Sequence, residues 1–185
     1  MRLSLFIVVL GGRSLKSNVE VHDVRWVLGG SIEDTFPELR RQWFGCPKGL
    51  HIDSYKCIEY IDGYKVVISE AKKDASTNTH SENESLWFIN LGGYNEESMS
   101  EQHEFYLIAA KKASEAKKKA KQNWQLNLKN KHNDDCSEIS NIELIDNIHS
   151  VKEIDDWKIK LIPDQKKRNQ KLIPDWYGYM RIDKV

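Results

Sequence analysis

"LFIVVLGG", residues 5–12, is an apolar, β-branched run closed by two glycines and preceded by one basic residue, Arg2. One positive charge, about eight apolar residues and small residues behind them also satisfy the minimum of a secretion signal. The chain supplies its own comparison. "SLFIVVLGG" (Ser4–Gly12) returns 81 residues later as "SLWFINLGG" (Ser85–Gly93), too deep in the sequence to be an export signal. The stretch therefore reads as the buried first strand of a repeated unit. The same register runs ungapped from Ser4–Ile58 onto Ser85–Ile139, with 13 identities in 55 pairs. Chance at ordinary composition gives about three or four.

The strand signals extend from there. "EVHDVRWVL" alternates, with His22, Val24, Trp26 and Leu28 on the face expected to point inward, matched by His103, Phe105, Leu107 and Ala109. "SIEDTFPELRRQWFG" starts with a capping box, Ser31 and Asp34, and carries Ile32, Phe36, Leu39 and Trp43 at helical spacing. Pro37 belongs in a first turn, so the regular helix is expected to start near Thr35. The second helix is expected over about Ser114–Trp124, with Ala113, Ala116, Ala120 and Trp124 as its stripe. Asp62-Gly63, between two β-rich runs, predicts a two-residue hairpin. Gly11-Gly12 is read as a turn opening the polar loop Arg13–Asn18, since it lacks the spacing of a phosphate loop.

Together these signals predict an α+β protein of two tandem ββαββ repeats with pseudo-two-fold symmetry, mainly antiparallel sheet with helices on one side. Repeat one spans 1–69, a polar linker 70–84, and repeat two 85–162. The second repeat takes an insertion near 140–151 and replaces the hairpin turn by a longer excursion. A tail, 163–185, is expected to pack on the body through "DWYGYMRI".

Composition narrows the function classes. The chain has 185 residues with 28 basic and 28 acidic side chains, which argues against a dedicated polyanion binder. Three scattered cysteines, Cys46, Cys57 and Cys136, form no Cys-x-x-Cys pair and leave an odd thiol, as in a reduced, cytoplasmic chain. No run approaches the roughly 18 apolar residues of a membrane span.

The pattern "LGGR…EVHDVRWVLGGSIEDTFPELRRQWFG…LHIDSY…DGYKV", followed by "LWFINLGGY…EQHEFYLI", resembles the bacterial family catalogued as domain of unknown function 1543. The resemblance covers about Leu3–Leu161. It implies small bacterial cytoplasmic proteins carrying this unit once or twice, and it brings no activity, cofactor or site residue with it.

The residues that could carry chemistry are the repeated polar ones. Glu20 and His22 share a strand face, as do His51 and Asp53; Glu101, His103, His132 and Asp134 form the matched set. Two imidazoles with carboxylates suit zinc, manganese or iron, or acid/base work by an imidazole held by a carboxylate. The same groups equally serve as hydrogen-bonded structural pairs. Lys117, Lys118, Lys119 and Lys121 lie on a lysine-rich helix face that could neutralise phosphates, although a solvated surface accounts for them with fewer assumptions.

The sequence leans toward a non-enzymatic module binding a small molecule or a protein, with a pocket at the repeat junction. The alternatives are a metal-assisted or histidine-dependent hydrolase on the same residues and a weak nucleic-acid binder. No cofactor is required; a divalent metal is the one these residues could take.

Overall fold

The structure is a computed structural model that describes residues 3–71, 84–94, 99–130 and 141–184. The first half runs β1 (Ser4–Gly12), β2 (Val21–Gly29), a 3-10 turn (Glu33–Thr35), α1 (Phe36–Gln42), β3 (His51–Ile58), β4 (Tyr60–Ile61) and β5 (Tyr64–Glu70). The second runs β6 (Ser85–Tyr94), β7 (Gln102–Ala110), α2 (Ala113–Asn130), β8 (Asn141–Ser150), β9 (Glu153–Ile154) and β10 (Trp157–Pro163), and β11 (Trp176–Arg181) follows. Among the described residues every strand pairing is antiparallel, in three sheets ordered β11-β3-β1-β2, β4-β5-β10-β9 and β7-β6-β8. The fold class is α+β.

β1 is buried because it is apolar on both faces. Leu5 and Ile7 join a central core with Ile58, Val66, Leu86, Phe88, Ile159 and Leu161, to which all three sheets contribute. Phe6, Val8 and Leu10 face the opposite way, onto Ile32, Leu39 and Trp43 at the first helix. β6 repeats the division: Leu86 and Phe88 enter the central core, whereas Ile89 and Leu91 pack on Ala116, Ala120 and Trp124 of α2. Each helix thus seals the far face of its own sheet, and burying each large apolar side chain contributes about 1.5–3 kcal/mol.

The local signals near α1 form as the chain chemistry requires. Ser31 N–H donates to Asp34 Oδ2 at 3.0 Å, and Asp34 N–H returns to Ser31 Oγ at 3.4 Å. Asp62 and Gly63 both adopt positive φ, 50° and 83°, and close a tight hairpin between β4 and β5. Asp62 has a second duty, since its Oδ2 accepts the backbone N–H of buried Ala109 at 2.9 Å and ties this hairpin to β7.

Four expectations need correction. Gly11 and Gly12 do not turn; they extend β1 and pair with His22 and Val21. On β2 the inward face is not exclusive, because Val27 on the opposite face is fully buried against the first helix while His22 is half exposed. The expected insertion near 140–151 is instead β8, hydrogen-bonded to β6, and α2 runs on to Asn130. The second hairpin also keeps a two-residue turn, Asp155-Asp156, with Asp155 at φ 50°.

The tail returns to the body. β11 pairs with β3, and the strap before it satisfies exposed backbone donors: Gln170 Oε1 accepts from Glu59 and Tyr60, Asn169 Oδ1 from Asp62, and Asp175 Oδ2 from Cys57. Of the expected linker, residues 72–83 lie outside the described residues.

Removing the Asp62 carboxylate orphans a buried amide and leaves a left-handed backbone without its side-chain support. Asp62→Ala is expected to lower stability by about 1–3 kcal/mol in urea unfolding, and Asp62→Asn by less. An alanine variant as stable as the native chain would contradict the tie between hairpin and β7.

Candidate metal centre

Gly11 is the floor of the candidate site. In the antiparallel register it stands opposite His22 on β2 and His51 on β3, so the two imidazole-bearing residues flank one glycine on the same sheet face. Glu20 precedes β2 immediately. Asp53 arrives through a bulge: Val9 pairs with Ser54 and Leu10 with Ile52, leaving Asp53 as the extra residue. A bulge is a standard way to re-aim a side chain.

The four side chains converge. His22 Nε2 lies 3.2 Å from Glu20 Oε1 and 3.3 Å from Asp53 Oδ2, and His51 Nε2 lies 3.2 Å from Glu20 Oε1 and 3.2 Å from Asp53 Oδ1. Ligand atoms of Glu20, His51 and Asp53 all fall within 4.8 Å of one another. A Cβ built on Gly11 would sit 2.5 Å from His51 Nε2 and 2.9 Å from both Asp53 Oδ2 and Glu20 Oε1. The space that only glycine leaves open is therefore the centre of the cluster.

His51 decides what that centre can hold. Its side chain is 1% exposed, and Nδ1 lies 2.8 Å from the Gly49 carbonyl, an acceptor only, so Nδ1 carries the hydrogen. Nε2 then offers a lone pair in the neutral ring. Two carboxylate oxygens stand 3.2 Å away, at ion-pair distance, but among the described residues neither makes a hydrogen bond of good geometry with Nε2. Leaving such a buried group unpaired costs about 1–3 kcal/mol. Two carboxylates within 4.8 Å repel by about 3 kcal/mol at an effective dielectric of about 20. A cation at the centre cancels both penalties. Burial pushes the Asp53 carboxyl above its ordinary range, against the pull of His51 and His22.

The spacing suits a metal. Ligands held at about 2.0–2.1 Å lie about 2.8–3.0 Å from their neighbours in an octahedral shell and about 3.3–3.4 Å in a tetrahedral one. Two imidazoles and two carboxylates fit zinc, manganese or ferrous iron. His22, with 54% of its side chain exposed, forms the solvent side.

The second set is not equivalent. Glu101 Oε2 and His103 Nε2 are 4.0 Å apart, and Asn90 Nδ2 contacts His103 Nδ1 at 3.3 Å. His132 and Asp134 lie outside the described residues. The strand position opposite Gly92 is filled by Leu144, where His51 stands opposite Gly11. The β8 bulge leaves Asp146, not Asp134, in the register place of Asp53.

A cleft of about 740 Å³ is lined by Ile7 and Val9, on the same face of β1 as Gly11, together with Phe105 and Leu172. It lies where a junction pocket was expected, and His103 lines it, but Glu20, His22, His51 and Asp53 do not. On α2, Lys117, Lys118 and Lys121 are exposed, whereas Lys119 donates to the Ala109 carbonyl at 2.8 Å and pairs with Glu115 at 3.1 Å.

Sequence reasoning missed Gly11 as the floor and Tyr179 as a wall, its ring 4.0 Å from that of His51. The recurrence of Gly11 as Gly92 was the available signal for the first; nothing in the sequence marked the second. Gly11→Ala is expected to displace the His51 ring and cost about 1–3 kcal/mol through overpacking, read as shifted His51 resonances and a lowered Tm. An undisturbed His51 would contradict the position assigned to the floor.

Comparison with known proteins agrees with the fold. A crystal structure of the protein Il1583 from Idiomarina loihiensis is similar over 97% of both chains, at 30% identity and a TM-score of 0.70. No curated protein matches the chain. The profile of the family described as "Domain of Unknown Function (DUF1543)" matches twice, at residues 17–68 and 98–144. Those two matches take in Glu20, His22, His51 and Asp53 in the first and Glu101 and His103 in the second; together they span more than half of the sequence, and the chain belongs to the DUF1543 family.

Proposed function

We propose that this protein is a divalent-metal-binding module in which Glu20, His22, His51 and Asp53 hold one ion above Gly11. The observation that carries the reading is the buried His51 Nε2, which faces two carboxylate oxygens at 3.2 Å without a hydrogen bond of good geometry among the described residues, over a glycine whose missing Cβ leaves the ion its room. A structural pairing would aim an N–H squarely at a carboxylate, whereas His51 Nε2, 3.2 Å from Glu20 Oε1 and Asp53 Oδ1, makes no hydrogen bond of good geometry among the described residues. The exposed His22 side leaves the ion reachable, and the neighbouring cleft offers a small molecule a seat on the same strand face. An ion so placed would serve as a Lewis acid toward a carbonyl or phosphoryl oxygen, the chemistry of metal-assisted hydrolysis.

The reading extends to the architecture, as two ββαββ units related by a pseudo-two-fold. Support comes from β5 and β10, where Tyr64 pairs with Pro163, Trp157 with Glu70, and Val67 with Lys160 at the middle. A shift of 93 residues carries Tyr64 onto Trp157 and Val67 onto Lys160, so this ladder is symmetric about its centre. The same shift carries Asp53 onto Asp146 and Ile52 onto Ile145, each facing the corresponding residue of β1 or β6 or its bulge. By this reading the second unit has lost the buried histidine, and the chain takes one ion.

Protein purified without a histidine tag and equilibrated in turn with zinc, manganese and ferrous iron should retain about one ion per chain of at least one of them. His51→Ala combined with Asp53→Asn should lose it while keeping the far-UV spectrum. No retention of any of the three ions, or full retention by the double variant, would overturn the proposal.

A further inference from the structure

We infer that Asp183, in the C-terminal segment, is a positioning residue for the metal centre: it fixes Gly49, which in turn fixes the ring and tautomer of His51. The inference rests on the metal reading above. A ligating imidazole works only if its other nitrogen is held, because that bond sets which nitrogen keeps the lone pair and where the ring points. In this chain the holding group is a loop carbonyl, Gly49 O, at 2.8 Å from Nδ1.

A loop carbonyl needs its own anchor. Gly49 has φ +86°, a conformation other residues rarely adopt, and no neighbouring atom approaches the position of an added Cβ within 4 Å. Gly49 has no side chain with which to anchor itself. Its backbone N–H donates instead to Asp183 Oδ2 at 2.7 Å. Asp183 is itself clamped, since Arg181 Nε donates to Oδ1 at 3.0 Å and Arg181 Nη2 to Oδ2 at 2.6 Å. These bonds keep the Asp183 carboxyl well below the usual carboxylate range.

The rest of the C-terminal strand works on the same ring. Arg181 stands opposite His51 in the β11–β3 ladder, and Ile182 N–H donates to Leu50 O at 3.0 Å. Tyr179 places its ring over the imidazole at 4.0 Å. A segment about 130 residues away in sequence thus encloses one ligand and orients it, and metal binding and docking of this segment are expected to favour each other.

The tail contains a built-in control. Asp164 and Arg168 form a similar two-bond pair, 2.9 and 2.7 Å, in the strap that touches the β4–β5 turn and not the metal centre. The test is zinc affinity by calorimetry, together with the visible spectrum of the cobalt-loaded protein, on full-length native chain, Asp183→Ala, Asp183→Asn and Asp164→Asn. Loss of an outer hydrogen bond to a ligating histidine typically weakens binding 10–100-fold. Asp183→Ala should show a loss of about that size and an altered cobalt spectrum. Asp183→Asn, which keeps an acceptor for Gly49, should fold and fall between that variant and the native chain. Asp164→Asn should bind zinc as the native chain does.

Native-like affinity in both Asp183 variants would overturn the inference, as would an equal loss in Asp164→Asn, which would reduce the effect to general anchoring of the tail. Absence of zinc and cobalt binding by the native chain would instead fail the metal reading on which the inference rests.

Discussion

Burial of β1 on both of its faces is the constraint on which the rest depends. Its odd-numbered residues reach into the core shared by the three sheets, and its even-numbered residues receive the first helix. A strand covered on both sides holds its neighbours in register, β2 without a break and β3 with a single bulge at Asp53. That register alone brings His22 and His51 to either side of Gly11. The site is therefore a consequence of the strand that makes the core, carried two residues past Val9, the last apolar side chain on that face.

The same strand explains why the cluster is both buried and open. On the inner side His51 is sealed by the C-terminal strand and Tyr179, which costs it every solvent partner for Nε2. On the outer side His22 and Glu20 remain partly exposed, because β2 is an edge strand and Glu20 lies in the loop before it. A sheet interior supplies rigidity and a sheet edge supplies access, and this centre sits at the boundary between them.

Much of this was legible in the residues. The β-branched run of residues 5–10, the Ser31–Asp34 box and Asp62-Gly63 each specify a local geometry through short-range physics, and each forms as read. The pairing of Glu20 with His22 and of His51 with Asp53 was legible as period-two spacing on two strands, with their meeting expected only if those strands were neighbours; in the sheet β1 lies between them. Three things were not. An ungapped register cannot place an insertion, so the partner of His51 was assigned to His132 although the strand opposite Gly92 presents Leu144. A glycine pair reads as a turn when only its neighbours in sequence are considered, whereas Gly11 is required by side chains from 9 to 42 positions away. The bulge that aims Asp53 and the tail that anchors Gly49 arise from pairings of distant segments, which leave no periodic trace.

If the space above Gly11 is a cation's place, a metal will be found there by diffraction. The direct measurement is an anomalous-difference map at the zinc edge from a crystal of the tag-free, zinc-equilibrated protein. One peak is expected above Gly11, about 2.0–2.2 Å from His51 Nε2 and from a carboxylate oxygen of Glu20 and of Asp53. A map with no peak there, and His51 Nε2 instead hydrogen-bonded to a carboxylate or a water molecule, would contradict it.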